Sequence, residues 1–282
     1  MTERRGAFAW YELLTTDAAG ARDFYGRVFG WQARNASTSA FAYSIFSAGK
    51  IEIGGLMELP PDARRAGATP HWVGYVEVDD IDRAADRLKR LGGSVLVPPT
   101  DSNIGRVSIV ADPQRATFGM VGGLKLDGNT SEVMEPGQVG WHELFAADGK
   151  QAFAFYSELF GWPQGAGDSY HLVTVGGRMI GGMFTKLPRT PPPFWLYYFE
   201  VADIADAVAQ VKGAGGRVLQ GPLELPDGCW IVRCSDPQGA MFSLQGKSSQ
   251  SGIESAAVGE LNWAADWGGF ASRGRMVGKP KG

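Results

Sequence analysis

Apolar residues recur along this chain with two periods. Alternating runs at 8–16, 72–78, 139–146 and 194–201 predict strands. Each run is followed by an aspartate and then by helical spacing. After Asp17, the residues Ala21, Phe24, Tyr25, Val28 and Phe29 fall at i, i+3, i+4, i+7 and i+8, and Gly30 suits a left-handed C-terminal cap. Asp79 or Asp80 opens a second helix that buries Ile81, Ala84, Ala85 and Leu88 and stops at Gly92. Asp148 opens a third that ends at Gly161, and Asp203 a fourth with Ile204, Ala207, Val208 and Val211, ending near Gly215. Glycine-punctuated, strand-rich stretches follow at 41–60, 94–121, 170–186 and 217–246. The pattern is four β-α-β-β-β units and an α+β fold. A unit of about 50–60 residues is too small to stand alone, so the units must pair to bury a shared core.

The pairing follows from an internal repeat. Trp10, Glu12, Leu13, Asp17, Phe24, Tyr25, Phe29, Gly30 and Trp31 recur 131 residues later as Trp141, Glu143, Leu144, Asp148, Phe155, Tyr156, Phe160, Gly161 and Trp162. Ile53-Gly54-Gly55 answers to Ile180-Gly181-Gly182, and Asp112-Pro113-Gln114 with Phe118 answers to Asp236-Pro237-Gln238 with Phe242. A period this long indicates one duplicated domain rather than a solenoid. The expected organisation is a first domain at 1–124, a linker at 125–137, a second domain at 138–247 and a tail at 248–282. Leu261, Trp263, Trp267 and Phe270 are large apolar groups for a loose tail, and suggest that it docks on a domain surface or over a pocket.

Bulk composition narrows the classes. At 44% hydrophobic and 20% charged residues, the chain reads as globular. A net charge of −3 with scattered Lys and Arg argues against a nucleic-acid partner. Neither a signal-peptide core nor a run of about 18 apolar residues occurs, so the expectation is a cytoplasmic protein with no membrane partner. Cys229 and Cys234 lie five apart on a predicted strand and point to opposite faces, which disfavours a bridge and suggests structural thiols.

The twice-repeated FY…FGW signature, the DD-I-D before the second helix and the twice-repeated DPQ before the last strand resemble the vicinal oxygen chelate superfamily. That group includes glyoxalase I, extradiol dioxygenases and bleomycin-resistance proteins. The resemblance covers roughly 1–124 and 138–247. It implies two tandem domains, each a U-shaped eight-stranded β-cleft with helices outside. It implies no single function, since the fold hosts isomerases, oxygenases and non-enzymatic binders.

Metal-binding members carry His or Glu on the inner face of the sheet. The matching positions here hold Trp10, Val73 and Gly119 in the first repeat and Trp141, Leu196 and Ser243 in the second. None is a side chain suited to a catalytic divalent metal. On the fourth strand Glu52 is the charged candidate, with Met179 as its counterpart. His142 is one residue off a ligand position and faces the other way; His71 lies two before Val73 and needs a bulge; His171 lacks a partner at ligand spacing. No metal site and no cofactor are therefore expected, while a divalent metal at an atypical place using His71 stays open.

By the period of two, Glu12 shares the cleft face with Trp10, and Tyr75 and Glu77 share it with Val73; Glu143, Tyr198 and Glu200 match them, and Ser243 lies on the last strand. Trp10 and Trp141 either stack on a flat ligand or fill the space a metal would occupy. Glu12 and Glu143 either act as general acid or base or are carboxylates bonded to a neighbouring Tyr or to backbone N–H. Tyr75, Tyr198 and Ser243 complete the ligand-binding candidates, and Glu77 and Glu200 are expected to be solvated near the strand ends.

Two functional readings follow, beside a third in which both clefts are filled by their own side chains and the protein is structural or partner-binding. One is a metal-independent binder of a small aromatic or amphipathic molecule. The other is a lyase, isomerase or dioxygenase-related enzyme that uses Glu12 or Glu143, or an atypical metal. A tandem repeat supplies within one chain what single-domain relatives obtain by dimerising, so a monomer is expected, with a homodimer left open by the apolar tail.

Overall fold

In the computed structural model, residues 5–39, 41–125, 134–163, 169–188 and 191–249 are described. The first half runs β1 (Phe8–Thr15), α1 (Ala18–Phe29), β2 (Gln32–Asn35), β3 (Ser44–Ala48), β4 (Ile51–Glu58), α2 (Pro61–Arg65), β5 (His71–Glu77), α3 (Ile81–Arg90), β6 (Ser94–Ser102), β7 (Gly105–Ala111) and β8 (Thr117–Gly122). The second half runs β9 (Val139–Ala146), α4 (Gly149–Phe160), β10 (Tyr170–Val175), β11 (Arg178–Thr185), β12 (Phe194–Val201), α5 (Ile204–Gly213), β13 (Arg217–Glu224), β14 (Trp230–Ser235) and β15 (Met241–Gly246). Asp17, Asp80, Asp148 and Asp203 each cap a helix through a side-chain oxygen that accepts from a first-turn N–H. Gly30 and Gly161 end α1 and α4 at φ 70° and 77°, the left-handed region that a side chain would strain.

The strands form two open, mixed sheets. One has eight strands in the order β2-β3-β4-β1-β5-β8-β7-β6; the other has seven among the described residues, β10-β11-β9-β12-β15-β14-β13. Their centres match. β1 runs antiparallel to β5 with Trp10 opposite Tyr75 and Glu12 opposite Val73, and β9 runs antiparallel to β12 with Trp141 opposite Tyr198 and Glu143 opposite Leu196. Each centre has the same register shift just before its tryptophan. The docking expected of Leu261, Trp263, Trp267 and Phe270 lies outside the described residues, as does much of the expected linker.

Each sheet divides its side chains between two cores. One face of both sheets, with the inner faces of α1, α3, α4 and α5, joins a single cluster that crosses between the halves and includes Tyr11, Phe24, Tyr25, Trp72, Phe118, Phe153, Tyr156, Trp195, Tyr197 and Phe242. The opposite faces carry two smaller, separate clusters, one around Trp10 and Tyr75 and one around Trp141 and Tyr198.

The shared core explains why the two motifs recur. The Tyr25 hydroxyl donates to Asp236 Oδ2 at 3.1 Å and accepts from Trp72 Nε1 at 2.9 Å. By the same geometry the Tyr156 hydroxyl donates to Asp112 Oδ2 at 3.2 Å and accepts from Trp195 Nε1 at 3.0 Å. The tyrosine of each FY pair therefore bonds the aspartate of the other half's DPQ. Each aspartate turns its second oxygen to the backbone N–H groups of its own loop, at Gln114 and Ala116 or at Gln238 and Ala240. Gln114 adds a two-way clasp across the halves to the backbone of Asp148, at 2.8 Å each way.

Near the midline the repeat is unequal. Tyr11 and Gly74 stand where the second half has His142 and Tyr197, and all four face the shared core rather than a cleft. The Gly74 N–H donates to the Tyr197 hydroxyl at 2.7 Å. His142 stacks on Phe8 with ring centroids 4.2 Å apart. Its Nδ1 lies 2.6 Å from the Ile180 carbonyl, which can only accept, so Nδ1 carries the proton and Nε2 accepts from the Tyr11 hydroxyl at 2.6 Å. Burial pushes the His142 imidazole down to about 4.

Two outcomes are expected. Tyr25→Phe or Tyr156→Phe strands a buried aspartate oxygen and an indole N–H, and should cost about 1–3 kcal/mol in urea unfolding. Because both halves share one core, unfolding should remain a single transition; two separated transitions would show that the halves are independent. As pH falls, the unfolded chain takes up a proton at His142 near its ordinary value of about 6.5 while the folded protein does not. Stability from this group should be complete above about pH 6.5 and decline by about 3 kcal/mol as pH reaches 4. Urea melts of wild type and His142→Gln across that window test this, since the variant should lack the component.

Candidate functional site

The face of each sheet turned away from the shared core gathers the same four residue types. In the first half these are Trp10 and Glu12 on β1, Tyr43 just before β3, and Tyr75 on β5. The Tyr43 hydroxyl donates to Glu12 Oε1 at 2.6 Å, the Tyr75 hydroxyl donates to Glu12 Oε2, and Trp10 Nε1 donates to the Tyr43 hydroxyl at 3.3 Å. In the second half, Tyr170 donates to Glu143 Oε1 at 3.1 Å, Tyr198 donates to Glu143 Oε2 at 2.6 Å, and Trp141 Nε1 donates to the Tyr170 hydroxyl at 3.2 Å. Trp10, Glu12 and Tyr75, singled out by strand alternation, are thus brought into one cluster. So are Trp141, Glu143 and Tyr198, with Ser243 beside Tyr198 in the β12–β15 register. The Ser243 hydroxyl is buried and has no hydrogen-bond partner among the described residues.

Both clusters are packed with care. A β-carbon on Gly119 would meet the Tyr75 ring, one on Gly55 the Tyr43 hydroxyl, and one on Gly182 the Tyr170 ring. The tyrosines therefore occupy space that any side chain at those positions would need, including one at the ligand position of β8.

The carboxylates differ in their electrostatics. Glu143 carries an ion pair: Arg233, from β14, places Nη2 at 3.1 Å from Glu143 Oε2, with both side chains nearly buried. The guanidinium also lies 4.5 Å from the centroid of the Phe145 ring and donates from Nη1 to Gln220 at 3.0 Å. Glu12 has two tyrosine hydroxyls, and among the described residues no cation pairs with it. Burial raises the Glu12 carboxyl above the usual carboxylate range, against the opposing pull of hydrogen bonds from Tyr43, Tyr75 and Trp10. Burial, and then the adjacent Glu12 charge, holds the Tyr75 hydroxyl well up as well.

The sequence reading missed three residues. Tyr43 and Tyr170 each stand eleven residues before the first glycine of the repeated Ile-Gly-Gly step, Gly54 or Gly181, so aligning the repeats finds them. Arg233 has no such signal, because its counterpart is Ile109; its only mark is a charge inside the apolar run Trp230–Ser235. Glu52 turns to the sheet edge, where Arg34 Nη2 lies 2.5 Å from it. His71 sits near the strand start with Nδ1 2.6 Å from the Thr69 carbonyl. His171 is buried and stacks on Phe153. Glu77 and Glu200 are half-buried rather than solvated, and Glu200 accepts from Gln245 at 2.5 Å. Neither cysteine forms a disulfide; Cys234 is buried, its thiol pushed up to about 12 by burial. Among the described residues no three His, Cys, Asp or Glu side chains gather as a metal-holding group, and no helix is long and apolar enough to cross a membrane.

Comparison with known proteins places these clusters in context. The family model for the Glyoxalase/Bleomycin resistance protein/Dioxygenase superfamily matches residues 7–120 and 138–244. The "Putative glyoxylase CFP32" of Mycobacterium tuberculosis is 32% identical over 249 residues, covering 86% of this chain and 95% of that protein. The "Anthracycline biosynthesis protein DnrV" of Streptomyces peucetius is 30% identical over 261 residues, covering 85% and 92%. Among solved structures, the Mn(II)-bound glyoxalase from Novosphingobium aromaticivorans superposes with a TM-score of 0.59 at 13% identity, over 86% of this chain and 82% of that one. The 2,3-dioxygenase LapB from Pseudomonas sp. KL28 superposes with a TM-score of 0.60 at 14% identity, over 88% and 94%.

The two glutamates should respond differently to removal of charge. Glu143→Gln leaves the Arg233 guanidinium buried without its counter-charge and should destabilise by about 3 kcal/mol. Glu12→Gln breaks no ion pair but replaces one acceptor oxygen with an NH2 donor beside a tyrosine hydroxyl, and should cost less, about 1–2 kcal/mol. Equal losses in urea melts of the two variants would contradict this distinction.

Proposed function

Since the chain belongs to the glyoxalase/bleomycin resistance protein/dioxygenase superfamily, we propose that it is a member without the usual metal ligands, one that binds a small aromatic or amphipathic molecule in a tryptophan-lined cleft. The observation that carries this reading is the set of side chains at the positions where metal-binding relatives place His or Glu. Trp10, Val73 and Gly119 stand there in the first half and Trp141, Leu196 and Ser243 in the second. These are indoles, aliphatics, a glycine and a hydroxyl, which do not fit a divalent first-row metal. The carboxylate bonded into each cluster already accepts two tyrosine hydroxyls, and among the described residues no imidazole joins it. What remains is an apolar wall with a few oriented polar groups, the composition of a small-molecule site. The relatives named for anthracycline biosynthesis lend support, since anthracyclines are flat fused-ring molecules of the kind an indole face can hold. One chain with two domains supplies both clefts without a partner subunit.

A second reading is favoured by one observation. Glu12 is buried, raised and free of any pairing cation among the described residues, which suits a general acid or base. On that reading the protein is a lyase, isomerase or dioxygenase-related enzyme whose proton passes through Glu12, and proton exchange into a bound substrate should vanish in Glu12→Gln.

The binding reading is tested by metal analysis of the purified protein alongside calorimetry with 2-naphthamide. Metal should be far below one per chain, added Zn²⁺, Ni²⁺, Mn²⁺ or Fe²⁺ should leave binding unchanged, and Trp10→Leu together with Trp141→Leu should weaken the ligand by about tenfold or more. A stoichiometric, tightly held metal would overturn it.

A further inference from the structure

The two clefts share Trp, Glu and paired Tyr, but the frame around the second carboxylate has been stripped from the first. In the second half the Glu143 carboxylate is met by Arg233, which lies over Phe145 and is steadied by Gln220. The repeat gives each of these a counterpart. Arg233 lies opposite Ser243 and Gln220 on its two sides, and Ile109 lies opposite Gly119 and Val97 in the same register. Phe145 corresponds to Leu14 by the spacing that relates Trp10 to Trp141. Glu143, Arg233, Gln220 and Phe145 thus become Glu12, Ile109, Val97 and Leu14. Only the carboxylate survives.

Each change acts in the same direction. Isoleucine is shorter than arginine by the whole guanidinium, and leucine is smaller than phenylalanine. Ile109 and Leu14 are half-buried against the Trp10 cluster, and Val97 stands 43% exposed beyond them. An ionised carboxylate accepts at about four lone-pair sites, of which the hydroxyls of Tyr43 and Tyr75 take two. A carboxylate this buried gains most from an opposite charge.

We infer that the first cleft takes a planar aromatic ligand bearing a cationic nitrogen group that pairs with Glu12, and that in the second cleft Arg233 fills the equivalent place from within the chain. The proposal rests on the aromatic-binding reading above and adds to it the charge of the ligand and the choice of cleft.

The test is calorimetry on the full chain with three near-isosteric probes: 2-naphthamidine as cation, 2-naphthamide as neutral form and 2-naphthoate as anion. The amidine should bind at one site per chain and about tenfold or more tighter than the amide, as expected for a charge-assisted pair. Glu12→Gln should bring the amidine down to the affinity of the amide. Ile109→Arg should close the site to the amidine by supplying the cation internally. Arg233→Ile should open the second cleft and raise the stoichiometry from one to two. Urea melts confirm that each variant is folded, and if one is not, the stoichiometry of the other arginine exchange decides. An amide that binds as tightly as the amidine, or an amidine advantage that survives Glu12→Gln, overturns the inference and leaves the aromatic cleft standing. If none of the three probes binds, both fall.

Discussion

The structure depends on the aromatic layer between the halves and on the two tyrosine–aspartate bonds that register it. Tyr25 and Tyr156 each deliver a hydroxyl to the aspartate of the opposite half, and each receives an indole N–H from its own sheet. Burial of the rings supplies most of the energy: each aromatic side chain removes about 150–250 Å² from water, at about 25 cal/mol per Å². The hydrogen bonds contribute less, but a buried carboxylate or indole N–H without its partner is costly, so they select one alignment of the halves over every sliding alternative.

That layer also decides which face each central side chain takes. Strand alternation gives each central strand two faces, and the shared core claims one. Tyr11 and His142 fall on the claimed face; Trp10, Glu12, Trp141 and Glu143 fall on the other. The tryptophan–tyrosine–glutamate clusters therefore lie on the faces turned away from the shared core, and the unequal pair at the midline, Tyr11 with His142 and Gly74 with Tyr197, adjusts packing between the halves and not those clusters.

Within the clefts a duplicated framework supports two electrostatic solutions. The tryptophan–tyrosine–glutamate arrangement is the same in both, to the identity of each donor and acceptor. One residue on β14 separates them. Arg233 neutralises Glu143, gives a further donor, Nη1, to Gln220 and lays its flat face over Phe145. Where Ile109 stands instead, the carboxyl keeps its raised affinity for a proton. Duplication gives such divergence room, since one cleft can keep the packing while the other changes its charge.

Much of this was legible in the sequence. Local chemistry wrote the helices: an aspartate that caps, apolar residues at helical spacing and a glycine that tolerates a left-handed end are all short-range features. The repeat gave the doubling, and alternation along β1 and β9 put Trp10 with Glu12 and Trp141 with Glu143, because a strand's period of two needs no tertiary information. The partners were not legible. Nothing local says that Tyr25 reaches Asp236 across 211 residues or that Arg233 reaches Glu143 across 90, since each bond is made by the way sheets curve and stack. Glu77 and Glu200 were misjudged for the same reason, their strand-end positions concealing the neighbours that half-bury them. By itself the sequence determined the elements, their duplication and the face each side chain would take. Only the tertiary structure decided which side chains meet, and so which of two identical glutamates is neutralised, because charge compensation in a protein interior depends on distances between segments that the chain order does not constrain.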